Sequence, residues 1–455
     1  MNRRKFIQQS TISAAGMLLL PYFLSSCKKE ALFEGKSFAG KVIIVGAGAA
    51  GMYAAYLLHR QGVDVTIIEA SGKYGGRIRS QDLLADFPIE LGTEKVRGER
   101  SSFYDLLLAS GAEMLTSIPA NFYYFNGGLK SEIDATENTF FTGMKQILID
   151  IDDYSGADVT ADSYGSSSGI SDNVKHIFNG LLGNEFGSSN TRLGMYGVRE
   201  VREKWSAGSD EFILKHKSLL SVFEEQFSEI IDKIILDTQI TAIDYSGSKI
   251  ALTDSAGNSF EADKVIMTVP LPVLKDGDIT FTPALPVSHT SAYQKIGMDR
   301  GIKIAMRFDE NVWPESATHI YGNGYVPFFE VVSANGRSSN DHVLTAFANG
   351  ENAEYLSGLG DDMITTILAE LDTLFGDASG HYIDHVMQDW GAEPFIRGAY
   401  SYPKPGIGNA REVIATNIQG KIYFAGEATH TGGHFGTVHG AMETGLRAVT
   451  EILQG

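Results

Sequence analysis

Gly46-Ala47-Gly48-Ala49-Ala50-Gly51 spells GxGxxG, whose chemistry is the holding of a pyrophosphate. In such a turn the first glycine permits the sharp bend, the second lets backbone approach the anion, and the third lets a helix pack close to a strand. The N-terminal amides of that helix then face the negative charge. Glu69, about twenty residues further on, has the type and spacing of a carboxylate that accepts hydrogen bonds from ribose hydroxyls and disfavours a 2′-phosphate. Gly75-Gly76-Arg77 adds close backbone approach and a guanidinium suited to pyrophosphate oxygens. The glycine motif alone leaves nicotinamide and flavin dinucleotides open; its arginine-bearing continuation favours the flavin.

These residues need a scaffold. Lys41 to Val45 is an unbroken apolar run of the kind buried in a parallel sheet, cut by Gly46. A helix is predicted from about Gly48 to His59 and a second strand over Thr66–Ile68, which makes a βαβ unit. The Ser-, Gly- and Asp-rich stretch from Asp150 to Asp172 reads as a solvated loop. Apolar residues recur at helical spacing from Ile213 to Ile235, and Ile240, Ile243 and Ile250–Leu252 resume a strand pattern. Lys264 to Pro270 is another buried strand, stopped by proline. Glu354 to Phe375 reads as helix. Lys421–Ala425, Gly426-Glu427 and a helix from Val438 to Leu453 repeat the strand, glycine turn and helix at the far end, so a sheet assembled from distant segments is expected.

The 455 residues exceed what one core serves, so two domains are expected. With 43% hydrophobic and 20% charged residues the chain is globular in composition. A net charge of −19 argues against a nucleic-acid partner, which requires a basic footprint. Cys27 is the single cysteine, which excludes an intramolecular disulfide and any multi-cysteine metal site; no metal is expected. Asn2-Arg3-Arg4-Lys5-Phe6-Ile7-Gln8 resembles a twin-arginine export signal, and the apolar stretch Ile12 to Leu24 is too short to stay as a membrane span. Leu24-Ser25-Ser26-Cys27 resembles a bacterial lipobox. The reading is a signal peptide over 1–26, lipidation of Cys27, a tether over 27–39 and a bacterial periplasmic or cell-envelope lipoprotein anchored to membrane; a plain cleaved signal is the alternative.

Taken together, the glycine motif, Glu69 and Gly75-Gly76-Arg77 resemble the flavin-containing amine oxidases, which include monoamine, polyamine and L-amino-acid oxidases. The resemblance extends through Glu90-Leu91-Gly92, Ala262 to Pro270, Trp390 to Tyr402, Phe424 to Ala428 and Thr437 to Ala441. It implies an α/β fold with a Rossmann-like FAD-binding domain built from 40–95, 215–290 and 390–455. A mixed α+β substrate-binding domain is implied over 96–214 and 291–389. FAD contacts are implied for Gly46, Gly48, Ala49, Ala50, Gly51, Glu69, Ala70, Gly76, Arg77, Gly92, Thr93, Ile240 and Trp390, and for Gly426, Glu427, Thr437 and Val438 at the C-terminal end. Ala399 stands where monoamine oxidases carry a flavin-linking cysteine, so attachment is expected to be non-covalent.

Three residues are implied in catalysis. Lys303 resembles the lysine that holds a water near flavin N5, the alternative being an exposed lysine at a strand edge. Tyr400 matches one wall of an aromatic cage, and Thr437 takes the opposite place where a second aromatic ring is common. Lys95 and Arg97 fall close to the family's substrate-contacting positions, where cations would draw a carboxylate and repel a polycation; the alternative is loop charges balanced by Glu94 and Glu99. The implied reaction passes hydride from a neutral amine to flavin N5, leaves an imine for water to hydrolyse, and uses dioxygen as acceptor to give hydrogen peroxide. An L-amino acid or related carboxylate-bearing amine is the expected substrate. A polyamine or monoamine, or a surface protein that binds FAD with little turnover, are the alternatives, and the oligomeric state is left open.

Overall fold

The computed structural model describes residues 33, 36–338 and 340–454; the segment expected to be a signal peptide, 1–26, and Cys27 lie outside the described residues. Lys41–Val45 forms the expected strand and pairs in parallel with Asp64–Ile68 on one side and Lys264–Met267 on the other. Ile234–Ile235 and Ile422–Phe424 complete a five-stranded parallel sheet. A parallel sheet needs both faces covered, and strand alternation supplies them. Val42, Ile44 and Ile266 face the helices Ala49–Arg60 and Val438–Gln454. Ile43, Val45, Val265 and Met267 face a four-stranded sheet that includes Ile240–Asp244 and Ile250–Asp254. The two helices cross so closely that a Cβ on Gly445 would lie 2.6 Å from the Ala50 carbonyl oxygen.

The second domain is built on a seven-stranded sheet in the order Tyr382–Asp389, Gly301–Phe308, His342–Asn349, Phe328–Val331, His319–Tyr321, Asn121–Phe125, Gly128–Ser131. Its pairings are antiparallel except that of His319–Tyr321 with Asn121–Phe125. Ile302, Ile304 and Met306 pack with Met363, Ile367 and Leu371 in one core. The alternate residues point the other way, and the register sets Lys303 beside Phe347 and Phe347 beside Phe328. A Rossmann-like domain beside a mixed domain is the fold class expected from the sequence.

Three stretches differ from expectation. The Asp150–Asp172 segment is no solvated loop throughout, because Thr160 caps a helix over Ala161–Ser167 and Tyr164 is buried in the core. The Ile213–Ile235 stretch opens on the end of the strand Glu211–Leu214, gives helices at Leu219–Gln226 and Ser228–Ile231, and ends in a sheet strand. Ser218, whose side chain accepts from Ser221 N–H, sets the start of the first helix. Glu354–Phe375 is two helices, Glu351–Gly358 and Met363–Phe375, divided where Gly360 adopts a φ of +55°.

Candidate active site

The ends of the parallel strands and the open face of the seven-stranded sheet wall a cavity of about 380 Å³. Every residue expected at the cofactor lines it except Gly51. Gly51 works behind the wall, where a Cβ would collide with the Gly46 carbonyl oxygen and force helix and strand apart. Gly46 needs its φ of +108° for the turn. Gly48 caps the Ala49–Arg60 helix without a side-chain bond, and the first turn holds no acidic residue, so its amides and positive end stay available to an anion. Glu69 is fixed by Ala47 N–H at 2.8 Å and by Ser71 N–H and Oγ at 2.9 Å, which aims its remaining lone pairs at the cavity. The Gly75-Gly76 turn bridges back to Gly48, with Gly75 N–H donating to the Ala47 carbonyl at 2.8 Å. Ala70 and Ile240 close the wall nearby.

Arg77 reaches across to the C-terminal segment, donating to the Ala399 carbonyl at 2.8 Å and to Glu427 at 3.1 Å. Glu427 also accepts from Ser401 N–H, Ser401 Oγ and Gly436 N–H. Burial alone would raise its carboxyl, but Arg77, Ser401, Arg411 and the Gly436 amide outweigh it and hold the group below the ordinary carboxylate range. Trp390 donates from Nε1 to the Leu91 carbonyl at 2.9 Å, and Gly92 nestles against it with no room for a Cβ before the Arg77 carbonyl. Thr93 follows on the same wall. Gly426 N–H is held by Thr444 Oγ1, which ties the glycine turn to the last helix. Glycines at the approach positions, an uncapped helix end, a fixed carboxylate and a guanidinium together suit the ribose and pyrophosphate of FAD, and Val438 opens a helix at the other end of the cavity. Ala399, buried in the wall, offers no thiol for a covalent link.

Lys303 is not on a sheet edge. Its strand is flanked on both sides, and its Nζ lies 2.7 Å from Glu94 Oε2 and 3.4 Å from the Gly92 carbonyl. The other Glu94 oxygen accepts from Arg337 at 2.7 Å, which makes a buried cation–anion–cation row with a charge of +1. Tyr400 lines the cavity, donates to the Glu185 carbonyl at 2.9 Å, and has its phenol pushed up by burial and by the Glu185 carboxylate. Thr437 turns its hydroxyl to the His434 carbonyl at 2.6 Å and accepts Gly440 N–H at 3.0 Å, so it serves as a cap for the last helix.

Lys95 and Arg97 reach the cavity, but neither is free to bind a carboxylate, and neither is balanced by Glu94 or Glu99. Lys95 Nζ is held by Glu211 at 3.0 Å, Glu330 at 3.2 Å and His319 Nε2 at 3.0 Å. Arg97 pairs with Glu185 at 2.5 Å and Glu211 at 3.5 Å. Burial would lower the Lys95 ammonium, yet Glu330 and Glu211 raise it instead. Three carboxylates against two cations leave this part of the wall at −1. Sequence reading missed Glu185 and Glu330, which line the cavity with Phe328, Phe347, Phe186 and Phe435, and it missed Glu211, which pairs with Lys95 and Arg97. One signal was present: in Phe328-Phe329-Glu330-Val331, period-two alternation puts Phe328 and Glu330 on one face while Phe329 and Val331 enter the core.

His430, His434 and Glu443 lie close enough to suggest a metal, but their hydrogen bonds assign protons to the atoms a metal would need. His430 Nδ1 accepts Gly432 and His434 N–H, so its Nε2–H donates to Glu443 at 2.7 Å. His434 Nε2 faces Ser206 N–H at 3.4 Å while its Nδ1–H donates to the same carboxylate oxygen at 2.9 Å. The cluster fixes the loop that carries Phe435, Gly436 and Thr437. Next to it, burial and His434 push His439 down to about 3.

Residues 218–453 match the family described as flavin containing amine oxidoreductase, and residues 44–107 match the NAD(P)-binding Rossmann-like domain. The chain is 28% identical to the Homo sapiens lysine-specific histone demethylase 2 over 452 residues, covering 90% of this chain and 53% of that protein. It is 25% identical to polyamine oxidase 4 of Oryza sativa subsp. japonica over 474 residues, covering 96% and 91%. The chain thus spans about half the length of the demethylase and nearly all of the oxidase. The fold is shared with putrescine oxidase bound to putrescine, with a TM-score of 0.80 at 20% identity over 92% of this chain and 100% of that one. Cyclohexylamine oxidase from Brevibacterium oxydans IH-35A gives 0.78 at 21% identity over 92% and 99%.

Proposed function

The chain belongs to the flavin containing amine oxidoreductases, and from that premise we propose that it uses FAD to oxidise an amine without a carboxylate, of the monoamine or polyamine kind. The carrying observation is the wall around Lys95 and Arg97, where Glu185, Glu211 and Glu330 already hold both cations and leave a negative surplus. This replaces the amino-acid preference suggested by those cations alone. Gly48, Glu69, Arg77 and Glu427 would hold FAD, which would supply acceptance of hydride from the amine α-carbon and passage of the electrons to dioxygen, the products being hydrogen peroxide and an imine that water hydrolyses.

The protein's part is orientation and charge. Tyr400 offers an aromatic face to the amine. Lys303, held by Glu94, is suited to orient a water, and the +1 row it forms opposes a protonated amine at that end of the cavity, while at the acidic wall the carboxylates are already engaged by Lys95 and Arg97. Segments 40–95, 215–290 and 390–455 are proposed to hold the cofactor and 96–214 and 291–389 the substrate, a division supported by the two sheets. Export through the Arg3-Arg4 signal and lipidation at Cys27 are proposed from sequence; among the described residues no helix is long and apolar enough to cross a membrane.

The test is anaerobic flavin bleaching and aerobic peroxide release with monoamines, polyamines and L-amino acids. Bleaching by amines lacking a carboxylate is expected. Turnover of amino acids alone would overturn the substrate reading, and no bleaching with any amine would favour a binding protein.

A further inference from the structure

Lys95 has an unusual place for a wall residue. Its ammonium sits among Glu211, Glu330 and His319, contributed by three different strands, at 3.0, 3.2 and 3.0 Å. His319 Nδ1 meets Asn121 Oδ1 at 3.1 Å, which places a proton on Nδ1 and leaves Nε2 to accept from Lys95. Three acceptors around one –NH₃⁺ match its three donors, so the cradle is a complete ammonium site. The stem of Lys95 runs along the cavity wall that also bears Glu330. Glu330 and Lys303 share the open face of the seven-stranded sheet, two strands and one residue pair apart, which spaces their backbones by about 12 Å from strand geometry. The cradle is thus offset from Lys303 along the same wall, in the direction a second charge on a linear amine would reach, although the charge of Lys303 still acts on Glu330.

We propose that Lys95 is a tethered ammonium that fills the site a substrate's distal ammonium would otherwise occupy, so that the enzyme selects amines carrying one cationic group over α,ω-diamines. The inference rests on the amine-oxidising reading and names its substrate class. A diamine entering the native cavity must strip water from its second charge without gaining a partner, because Glu211 and Glu330 are already engaged. Removing the Lys95 side chain vacates the cradle and leaves its carboxylates to a ligand of the same charge and shape. Arg97 stays within 3.5 Å of Glu211, and His319 Nε2 stays 3.5 Å from Glu330, so part of the compensation survives the change.

Hexylamine and 1,6-diaminohexane, equal in carbon count, make the comparison. The native holoenzyme is expected to show kcat/KM for hexylamine roughly 10- to 100-fold above that for the diamine, the worth of one charge-assisted hydrogen-bonded site. Lys95→Ala should erase or reverse that ratio chiefly through KM, whereas Lys95→Arg should keep it. A native enzyme that oxidises both equally, or a Lys95→Ala enzyme with an unchanged ratio, overturns the proposal. A binding readout separates this from failure of the amine-oxidase reading. Added 1,6-diaminohexane should raise the melting temperature of FAD-loaded Lys95→Ala, or of Lys95→Gln should the alanine variant not fold, by several degrees more than that of the native protein. If no amine bleaches the flavin but this shift appears, the cradle stands and the catalytic reading falls; if the shift is absent, the cradle proposal falls whatever the catalysis.

Discussion

Lys303 shows why a buried lysine has to be read with its neighbours. A lone ammonium in a dry wall would be costly, and Glu94 at 2.7 Å with Arg337 on its far oxygen makes it tolerable. The arrangement fixes the ammonium in space, which is the property needed to orient a water in front of a flavin. Lys303→Met keeps the stem and removes the charge, while Glu94 keeps Arg337. We expect normal FAD content and a fall in the rate of anaerobic flavin reduction by amine of about 10²-fold, the usual scale for a group that positions a proton-transferring partner. Stopped-flow absorbance measures it, and an unchanged rate would remove Lys303 from the chemistry.

At the scale of elements, the entry of the Leu219–Gln226 helix stores a testable strain. Glu90 Oε1 accepts Leu219 N–H at 2.7 Å, but Oε2 has no partner among the described residues, and burial lifts the carboxyl to about 8 against the opposing Leu219 and Arg337 contributions. The native protein thus keeps a proton that the unfolded chain releases near 4.5. The group costs nothing below that pH; its penalty grows as pH rises through the window and is complete above about 8. Glu90→Gln is permanently neutral, so its melting temperature should exceed that of the native protein by little at pH 4 and most above pH 8, corresponding to a few kcal/mol at about 1.4 per pH unit. Thermal melts across that range check it, and a gain largest in acid would refute the assignment.

The same scale shows what was legible in the sequence. Strand, glycine turn and helix at Lys41–Arg60 and at Ile422–Gln454 could be read because glycine has few physical substitutes in a turn that tight. The helix at Ala161–Ser167 was hidden because its cap and its core anchors, Ala161 and Tyr164, sit in a run whose composition is that of a loop. The acidic wall was hidden for another reason: Glu185, Glu211 and Glu330 come from separate elements, and only tertiary register gathers them on Lys95 and Arg97.

For the whole molecule, order of assembly follows from the parallel sheet. Its central strand is Lys41–Val45 and one edge is Ile422–Phe424, so the sheet closes only once residues nearly the full chain apart have met. The Arg77–Glu427 pair and the Val438 helix depend on the same closure, and the cofactor cavity does not exist before it. A chain threaded across a membrane unfolded would have to acquire FAD on the far side. Export after folding would avoid that, which is the physical reason for pairing the proposed twin-arginine signal with a discontinuous dinucleotide site. On the proposed twin-arginine reading, replacing Arg3 and Arg4 by lysine in a bacterial host should leave flavin-loaded protein of full absorbance in the cytoplasmic fraction, since the described lining of the cavity begins at Val45. Cys27→Ser, with the arginines intact, should move exported protein from the membrane to the soluble envelope fraction without changing its flavin content. Fractionation with the flavin spectrum read in each fraction distinguishes the two steps. If the arginine variant still reaches the envelope, export does not use this signal; if the serine variant stays with the membrane, Cys27 is not the anchor.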